Sequence, residues 1–392
     1  LRENVQSNKS QSSPRALLLF LGDPSYDRRV RNFIRAFGRR GWSVALIYGI
    51  PGNKERKETS IDGAKAIQVS LSASSGPALF SQYHRHALIE ALAFNDLDIV
   101  FASDLYSLRA ASKMKTLGKA KRLVYDCREI YTELPSVINR PLVKFIWKVI
   151  ERRALKLVDL LLVTGPHDVE PLFKIHKELP RSFLVRNLPE KTAVTKNDLI
   201  RKRFHISPES TLFIYVGGLQ QGRGLITFIE AFYEASSTSK EMSFVLLGDG
   251  RERAMLEALV KGLHLEERIF FNGATPSEEV VTLLAAADVG VSLIEPISPS
   301  YELALPSKVF EYMSASLGVL SSNLRQVEEL FAKEPWITFA DPAEKQSVMK
   351  GIESACKITE QSKQRAQELH LTTYNFEHEI DACLDLLQQQ VL

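Results

Sequence analysis

The chain of 392 residues is short of cysteine: Cys127, Cys356 and Cys383 are scattered and odd in number. That excludes a disulfide framework, and none of the three stands in a metal-ligand spacing. A reducing, cytoplasmic compartment is the simplest reading. Long apolar runs are missing too. The longest candidates, residues 16–21 and 160–163, are of strand length, far below the roughly 20 residues that a bilayer-crossing helix needs. The opening residues 1–14 are polar, rich in Ser, Gln and Asn, and lack a signal-peptide apolar core, so they read as a disordered tail. No charge sign dominates overall: 50 Lys and Arg against 47 Asp and Glu leave +3. With 45% apolar and 25% charged residues, a wholly disordered or collagen-like chain is excluded.

The near-neutral total conceals an asymmetry. Residues 1–190 hold 31 Lys and Arg against 19 Asp and Glu, a net +12, and residues 191–392 hold 19 against 28, a net −9. Oppositely charged halves suggest different partners. The length suits two domains at roughly 100–200 residues each. Strand-like runs at residues 16–21, 43–48, 99–102, 122–125 and 160–164 alternate with helix-period segments, the first at residues 27–40. The pattern weakens over residues 187–208 and restarts with runs at 212–216, 243–247, 268–271 and 288–293. Strands alternating with helices imply parallel sheets covered on both faces. The expected fold is α/β, two Rossmann-like doubly wound domains facing across a cleft. The first would span residues 15–190 and the second 191–374, with a final helix in residues 375–392 returning to the first. In such sheets ligands bind beyond the carboxyl ends of the strands, which makes the cleft the default site.

Two segments carry chemistry. Residues 213–225 read Phe-Ile-Tyr-Val-Gly-Gly-Leu-Gln-Gln-Gly-Arg-Gly-Leu, a strand entering a glycine-rich loop and a helix start. Glycines such as Gly217 and Gly218 let the backbone approach a ligand, and a helix N-terminus offers free N–H groups to an anion. Arg223 adds a fork of donors suited to phosphate, each charge-assisted bond contributing about 1.5–3 kcal/mol. A tight turn that binds nothing fits the same letters, and the loop is no P-loop, since no Gly-Lys-Ser/Thr follows. In the second segment, Pro306 and Ser307 suit a helix start, which places Lys308 and Glu311 three apart on one face. A lysine there opposes the helix dipole, so an anion contacting Lys308 would explain it. Glu311 could bridge the two hydroxyls of a ribose. A plain Lys308–Glu311 surface pair is the alternative.

Together these segments resemble the nucleotide-sugar half of the GT-B-fold glycosyltransferases, in particular the large retaining family four (glycosyl transferases group 1). Val216-Gly217-Gly218, Leu247-Gly248-Asp249-Gly250, Phe271-Asn272-Gly273 and Ala287-Asp288-Val289 run in the family's order before the block at residues 306–323. In the first half, Asp27-Arg28-Arg29-Val30 opens a helix and Phe101-Ala102-Ser103-Asp104 ends a strand. Tyr125-Asp126-Cys127-Arg128-Glu129-Ile130 resembles a Tyr-Asp-x-His-Glu-Leu-like element, and Tyr374-Asn375-Phe376-Glu377 the segment before the returning helix. The resemblance covers about residues 15–390. It implies that Glu311 binds the donor's ribose, that Arg223 and Lys308 bind its diphosphate, that Gly248 and Gly250 shape the cleft wall, and that Gly217 and Gly218 also meet the donor. The backbone near Asn272–Ala274, including Gly273, would meet the base, while Gly22, Asp104 and Glu129 would lie on the acceptor side. Three positions depart from the pattern. Gly218 stands where the loop commonly has Arg, which shifts charge onto Arg223. Leu303 replaces a second glutamate eight residues before Glu311, with Glu302 beside it as the substitute sugar contact. Arg128 replaces a histidine; it could face the sugar or a phosphate but, staying protonated, not act as a base.

The implied activity is that of a hexosyltransferase-like enzyme moving a sugar from a nucleotide-diphosphate donor to an acceptor hydroxyl with retention, in cell-surface polysaccharide or glycolipid synthesis. Catalysis would be electrostatic, with Arg223, Lys308, Arg128 and helix N–H groups around the leaving group, and with neither cofactor nor metal. The alternatives are a nucleotide-sugar epimerase of the same fold or a catalytically silent nucleotide-sugar-binding protein. Asp96-Leu97-Asp98 spells the Asp-x-Asp of metal-dependent transferases but precedes a strand, and hard cations need more converging oxygens. Lys144, Lys148, Arg152 and Lys156 recur at four-residue spacing beside Phe145, Ile146, Trp147, Val149 and Ile150. Such a cationic amphipathic helix suits either an anionic bilayer, at the inner face of the membrane, or an ordinary sheet-covering role. Each Lys or Arg at such a surface contributes roughly 1 kcal/mol. The basic half thus points to a glycan or lipid-linked acceptor; no nucleic-acid motif accompanies it.

Overall fold

The computed structural model describes residues 13–238 and 241–389. The expected tail therefore lies, for residues 1–12, outside the described residues, as do residues 390–392 of the last helix. The first sheet comprises β1 (Arg15–Leu21), β2 (Ser43–Gly49), β3 (Lys57–Ile61), β4 (Ala64–Val69), β5 (Leu97–Ala102), β6 (Ala120–Cys127), β7 (Leu160–Val163) and β8 (Ser182–Leu184). Their order is β3-β4-β2-β1-β5-β6-β7-β8, and only the β3–β4 pair is antiparallel. The second sheet comprises β9 (Thr211–Val216), β10 (Met242–Leu247), β11 (Ile269–Gly273), β12 (Val289–Ser292), β13 (Gly318–Ser322) and β14 (Ile337–Ala340). It is ordered β11-β10-β9-β12-β13-β14 and parallel throughout. Central strands such as β5 and β10 are buried along their whole length, as strands covered on both faces must be.

Each sheet reverses its winding beside its first strand, between β1 and β5 and between β9 and β12. Such switch points open a crevice beyond the carboxyl ends of the strands, and the two crevices face each other. The helix Arg28–Arg39 follows β1 and is capped by Asp27, whose Oδ1 accepts the Val30 N–H at 2.9 Å. Its buried residues Val30, Phe33, Ile34 and Phe37 form one apolar stripe. Phe33 packs on Phe101 of β5 and, edge-on at 5.4 Å, on Phe376 of the final helix Phe376–Gln389. That helix is fastened to the first domain by Arg40 with Asp381 and Asp385 and by Arg186 with Glu379.

The structure adds the β3–β4 hairpin, β8, β13 and β14 to the strands read from the sequence. β3 is an exposed polar edge, so it carries no apolar signal. Its turn does: Asp62 and Gly63 both hold positive φ, 50° and 83°, which suits a two-residue hairpin turn.

Candidate functional site

The crevices merge into one cavity of about 820 Å³ between the domains. Its second-domain wall is backbone. Val216 and Leu247 are register partners at the ends of β9 and β10, so the loops that follow emerge side by side. They touch: the Gly217 N–H donates to Leu247 O at 3.0 Å and the Leu219 N–H to Asp249 O at 2.9 Å. A Cβ on Gly248 would stand 1.9 Å from Gly217 O, and Gly217 holds φ at 131°, so both positions exclude larger residues.

Two cations rest on tyrosines above this wall. Lys308, in the first turn of the helix Ser307–Ser314, is buried with its Nζ 4.9 Å from the Tyr215 ring centroid. Arg223 lies 4.8 Å from the Tyr301 ring, and its buried Nε has no hydrogen-bond partner. It is held in place because Gly224 N–H donates to Glu295 and Glu295 N–H to Gly222 O. Cation–π contacts contribute about 0.5–2 kcal/mol, and they leave the donors on these cations free for an anion. Burial drives the pKa of Lys308 well below that of an ordinary lysine; the Arg223 charge adds to this and Glu311 opposes it. Glu311 does not pair with Lys308. It faces Arg28 of the first domain, with its Oε1 3.3 Å from the guanidinium, and Arg28 also donates to Ser277 O at 2.7 Å.

The first-domain wall is different in kind. Arg128 lines the cavity between two carboxylates, Asp27 at 2.5 Å and Asp126 at 3.0 Å. Asp126 in turn takes a two-pronged bond from the fully buried Arg29. One donor nitrogen of Arg128 remains buried and unpartnered. Asp104 accepts the Leu21 N–H at 3.0 Å and the Ser107 N–H at 2.6 Å, joining the loops after β1 and β5. Burial raises the pKa of its carboxyl despite these bonds. Burial also raises Glu129, against the charges of Arg223 and Arg128. The domains meet at both ends of the cleft. Arg31 pairs with Glu278 at 2.5 Å on one side, and Gln326 donates to Asp168 and Leu303 O on the other.

Of the residues singled out in the sequence, the structure gathers Gly217, Gly218, Gly248, Arg223, Lys308, Glu311, Arg128, Asp104 and Glu129 around one cavity. Others fall outside its lining. Glu302 is exposed at the end of the short helix Pro299–Glu302, and Leu303 takes the place in the wall. Of the segment Asn272–Ala274 only Ala274 lines the cavity, with Thr275 beside it, while Asn272 bonds Arg203 and Thr275. Gly22 lies one residue beyond the lining Leu21, with its N–H donated to Gly49 O. Asp98 sits at the opposite end of β5, bonding the Arg15 N–H and Lys121. Among the described residues no group of three or more His, Cys, Asp and Glu could hold a metal ion. Reading the sequence missed Arg28, Tyr215 and Tyr301. The two tyrosines flank the marked segments, but their ring-to-cation contacts depend on tertiary placement.

Two doubly wound sheets whose switch points close on one cleft are the arrangement of the GT-B fold. Residues 196–369 match the family described as glycosyl transferases group 1. Among curated proteins, a 2-deoxystreptamine glucosyltransferase of Streptomyces kanamyceticus is 31% identical over 91 residues, 23% of this chain and 24% of that protein. The N-acetyl-alpha-D-glucosaminyl L-malate synthase of Bacillus anthracis is 27% identical over 131 residues, 33% of each chain. The chain thus spans about a quarter to a third of the length of these curated relatives. Whole-chain likeness comes from solved structures. Sucrose-phosphate synthase from Thermosynechococcus elongatus superposes with a TM-score of 0.77 at 17% identity, covering 96% of this chain and 99% of that one. Anabaena HepE in complex with UDP and glucose gives 0.73 at 13% identity, covering 95% and 99%. At such identities the likeness is one of fold.

Proposed function

We propose that the protein transfers a sugar from a nucleoside-diphosphate sugar to an acceptor hydroxyl with retention and without a metal. The observation that carries this reading is the pair Arg223 and Lys308, set on tyrosine faces with no carboxylate paired to either among the described residues. A diphosphate is the ligand whose charge and oxygens suit them. Glu311, three residues beyond Lys308, is the carboxylate for the ribose, and Arg28 would give it up or share it. The two complexes of Anabaena HepE with UDP and with UDP-glucose agree with such a donor.

In the reaction the bond from sugar C1 to the diphosphate oxygen breaks, and its electron pair leaves with that oxygen. Arg223 and Lys308 stabilise the developing charge. The acceptor oxygen bonds C1 from the same face, and its proton passes to the departing diphosphate. The acceptor enters along the first-domain wall, past Glu129 and Arg128. Lipid-linked or polymeric glycans suit the basic charge of that half, and the enzyme would work as a peripheral protein on a cytoplasmic membrane face. The epimerase alternative draws on the buried, raised carboxyl of Glu129 and requires isomerisation of the donor with no acceptor present. The test is donor hydrolysis and transfer over a panel of nucleotide sugars. Transfer that Glu311→Ala abolishes is the expected result; transfer unaffected by Glu311→Ala, or no donor bound at all, overturns the site.

A further inference from the structure

The helix Pro141–Leu155 has two faces with unlike jobs. Its inner face is occupied. Trp147 packs edge-on against Phe80 at 4.8 Å and Tyr106 at 5.4 Å. Glu151 is buried, accepting the Tyr125 hydroxyl at 2.8 Å and facing His176 Nε2 at 2.9 Å, and Ala154 and Leu155 are buried beside it. The outer face presents Leu142, Phe145 and Ile146, which are 71%, 64% and 47% exposed. These positions lie at i, i+3 and i+4, one continuous stripe on a helix. The same face continues into Arg152, Arg153 and, just past the helix end, Lys156, all exposed. The four-residue basic ladder read from the sequence is therefore not the outward feature. Lys144 turns aside to Glu133 at 2.7 Å, and of the apolar residues beside the ladder Phe145 and Ile146 project outward while Trp147 turns inward.

Three large apolar side chains on one exposed stripe form a patch that a solvated helix does not need. No carboxylate pairs with Lys148, Arg153 or Lys156 among the described residues. At the cationic end a second cavity of about 440 Å³ opens, lined by Arg152, Lys156, Lys177 and His176, with Glu178 as the one acid in its wall. The His176 ring is buried, and its Nδ1 has no hydrogen-bond partner. We infer that this outer face is a docking surface for an anionic bilayer: Leu142, Phe145 and Ile146 enter the acyl boundary while Arg152, Arg153, Lys156 and the adjoining cavity engage phosphate headgroups. Apolar insertion beside cations is what binds interfacial helices to such surfaces. The occupant is fixed by local charge complementarity, since Arg152, Arg153, Lys156 and Lys177 gather at this end of the face with Glu178 as the one acid in the cavity wall.

The surface adjoins the catalytic cleft. Tyr106 lines the cleft and touches Trp147, the inward residue of this helix. A lipid-linked acceptor held at the membrane would thus meet the cleft across a single layer of side chains. That last step rests on the glycosyltransferase reading; the docking itself does not.

The experiment is flotation of the full chain with vesicles of phosphatidylcholine alone and of phosphatidylcholine with phosphatidylglycerol, alongside the melting shift given by UDP-glucose and other nucleotide sugars. The expected result is partition into the anionic vesicles only. Phe145→Ser with Ile146→Ser should lower it tenfold or more, on the order of one buried apolar side chain. Arg153→Glu with Lys156→Glu should lower it about thirtyfold or more, at roughly 1 kcal/mol per cation lost, and salt should weaken the wild-type binding. A nucleotide-sugar response equal to wild type shows that each variant is folded. No partition of the wild type, or partition untouched by both variants, overturns the inference while leaving the donor site standing. A concentration-dependent dimer that Phe145→Ser breaks, with no vesicle binding, also overturns it and assigns the face to a second copy. Vesicle binding without any donor response overturns the donor reading alone.

Discussion

The two walls of the cleft handle charge in opposite ways. On the first-domain wall the cations face carboxylates: Arg128 meets Asp27 and Asp126, Arg29 meets Asp126, and Arg28 meets Glu311 of the other wall. On the second-domain wall Arg223 and Lys308 lie on aromatic rings, and their neighbouring carboxylate, Glu311, is turned to Arg28. Overall charge would suggest the reverse, since the first half of the chain is +12 and the second −9. The difference teaches that cations without a paired carboxylate, rather than net charge, mark where an anion belongs. Buried charge without a partner is costly, and the lowered pKa of Lys308 reduces that cost by favouring the neutral amine.

Substitutions can break this comparison. The largest effect is expected for Lys308→Ala, which removes a cation that only the ligand answers. Transfer should fall by about 10²–10³, as when one donor to a developing anion is lost, with the melting temperature unchanged or raised. Arg128→Ala should do the opposite. It leaves Asp27 and the buried Asp126 with less compensation, so stability should drop by about 3 kcal/mol in denaturant titrations, with donor affinity changed only a few-fold. Equal effects of the two on donor affinity would erase the distinction between the walls. The smallest effect sharpens it. Gly218 has open space around it: a Cβ placed there would find its nearest neighbouring atom 3.8 Å away. Gly218→Arg should therefore fold normally and tighten donor binding about tenfold through one added charge-assisted bond, read by calorimetry.

Much of this was legible in the sequence. Apolar strand-length runs and the glycines after β9 and β10 marked both sheets and the second-domain wall of the cleft, because two-sided burial and close backbone approach leave few residue choices. Lys308 and Glu311 were legible as a pair on one face, but their relation was not: the ion pair that spacing allows is replaced by Arg28, 283 positions away in the chain from Glu311. The β3 edge was invisible because it is solvated. Glu302 adjoins Leu303 in the chain, yet the one-residue offset on a helical turn points it to solvent. The outward face of Pro141–Leu155 could not be read from periodicity, which fixes a stripe without saying which stripe the neighbours cover.

The most direct test of the charge argument is proton uptake on donor binding. Burial lowers the Lys308 pKa, so the protein without donor loses stability as pH falls from the ordinary lysine value to the lowered one. A bound diphosphate favours the charged amine, so binding takes up protons between the lowered pKa and the ordinary lysine value, and affinity weakens as pH rises. Calorimetric titration of UDP, GDP and ADP in two buffers of unlike ionisation enthalpy measures this. The expected result is uptake of up to about one proton per bound nucleotide, absent in Lys308→Met. Binding without proton exchange, binding with release, or uptake that persists in Lys308→Met would contradict the assignment of the diphosphate to the second-domain cations.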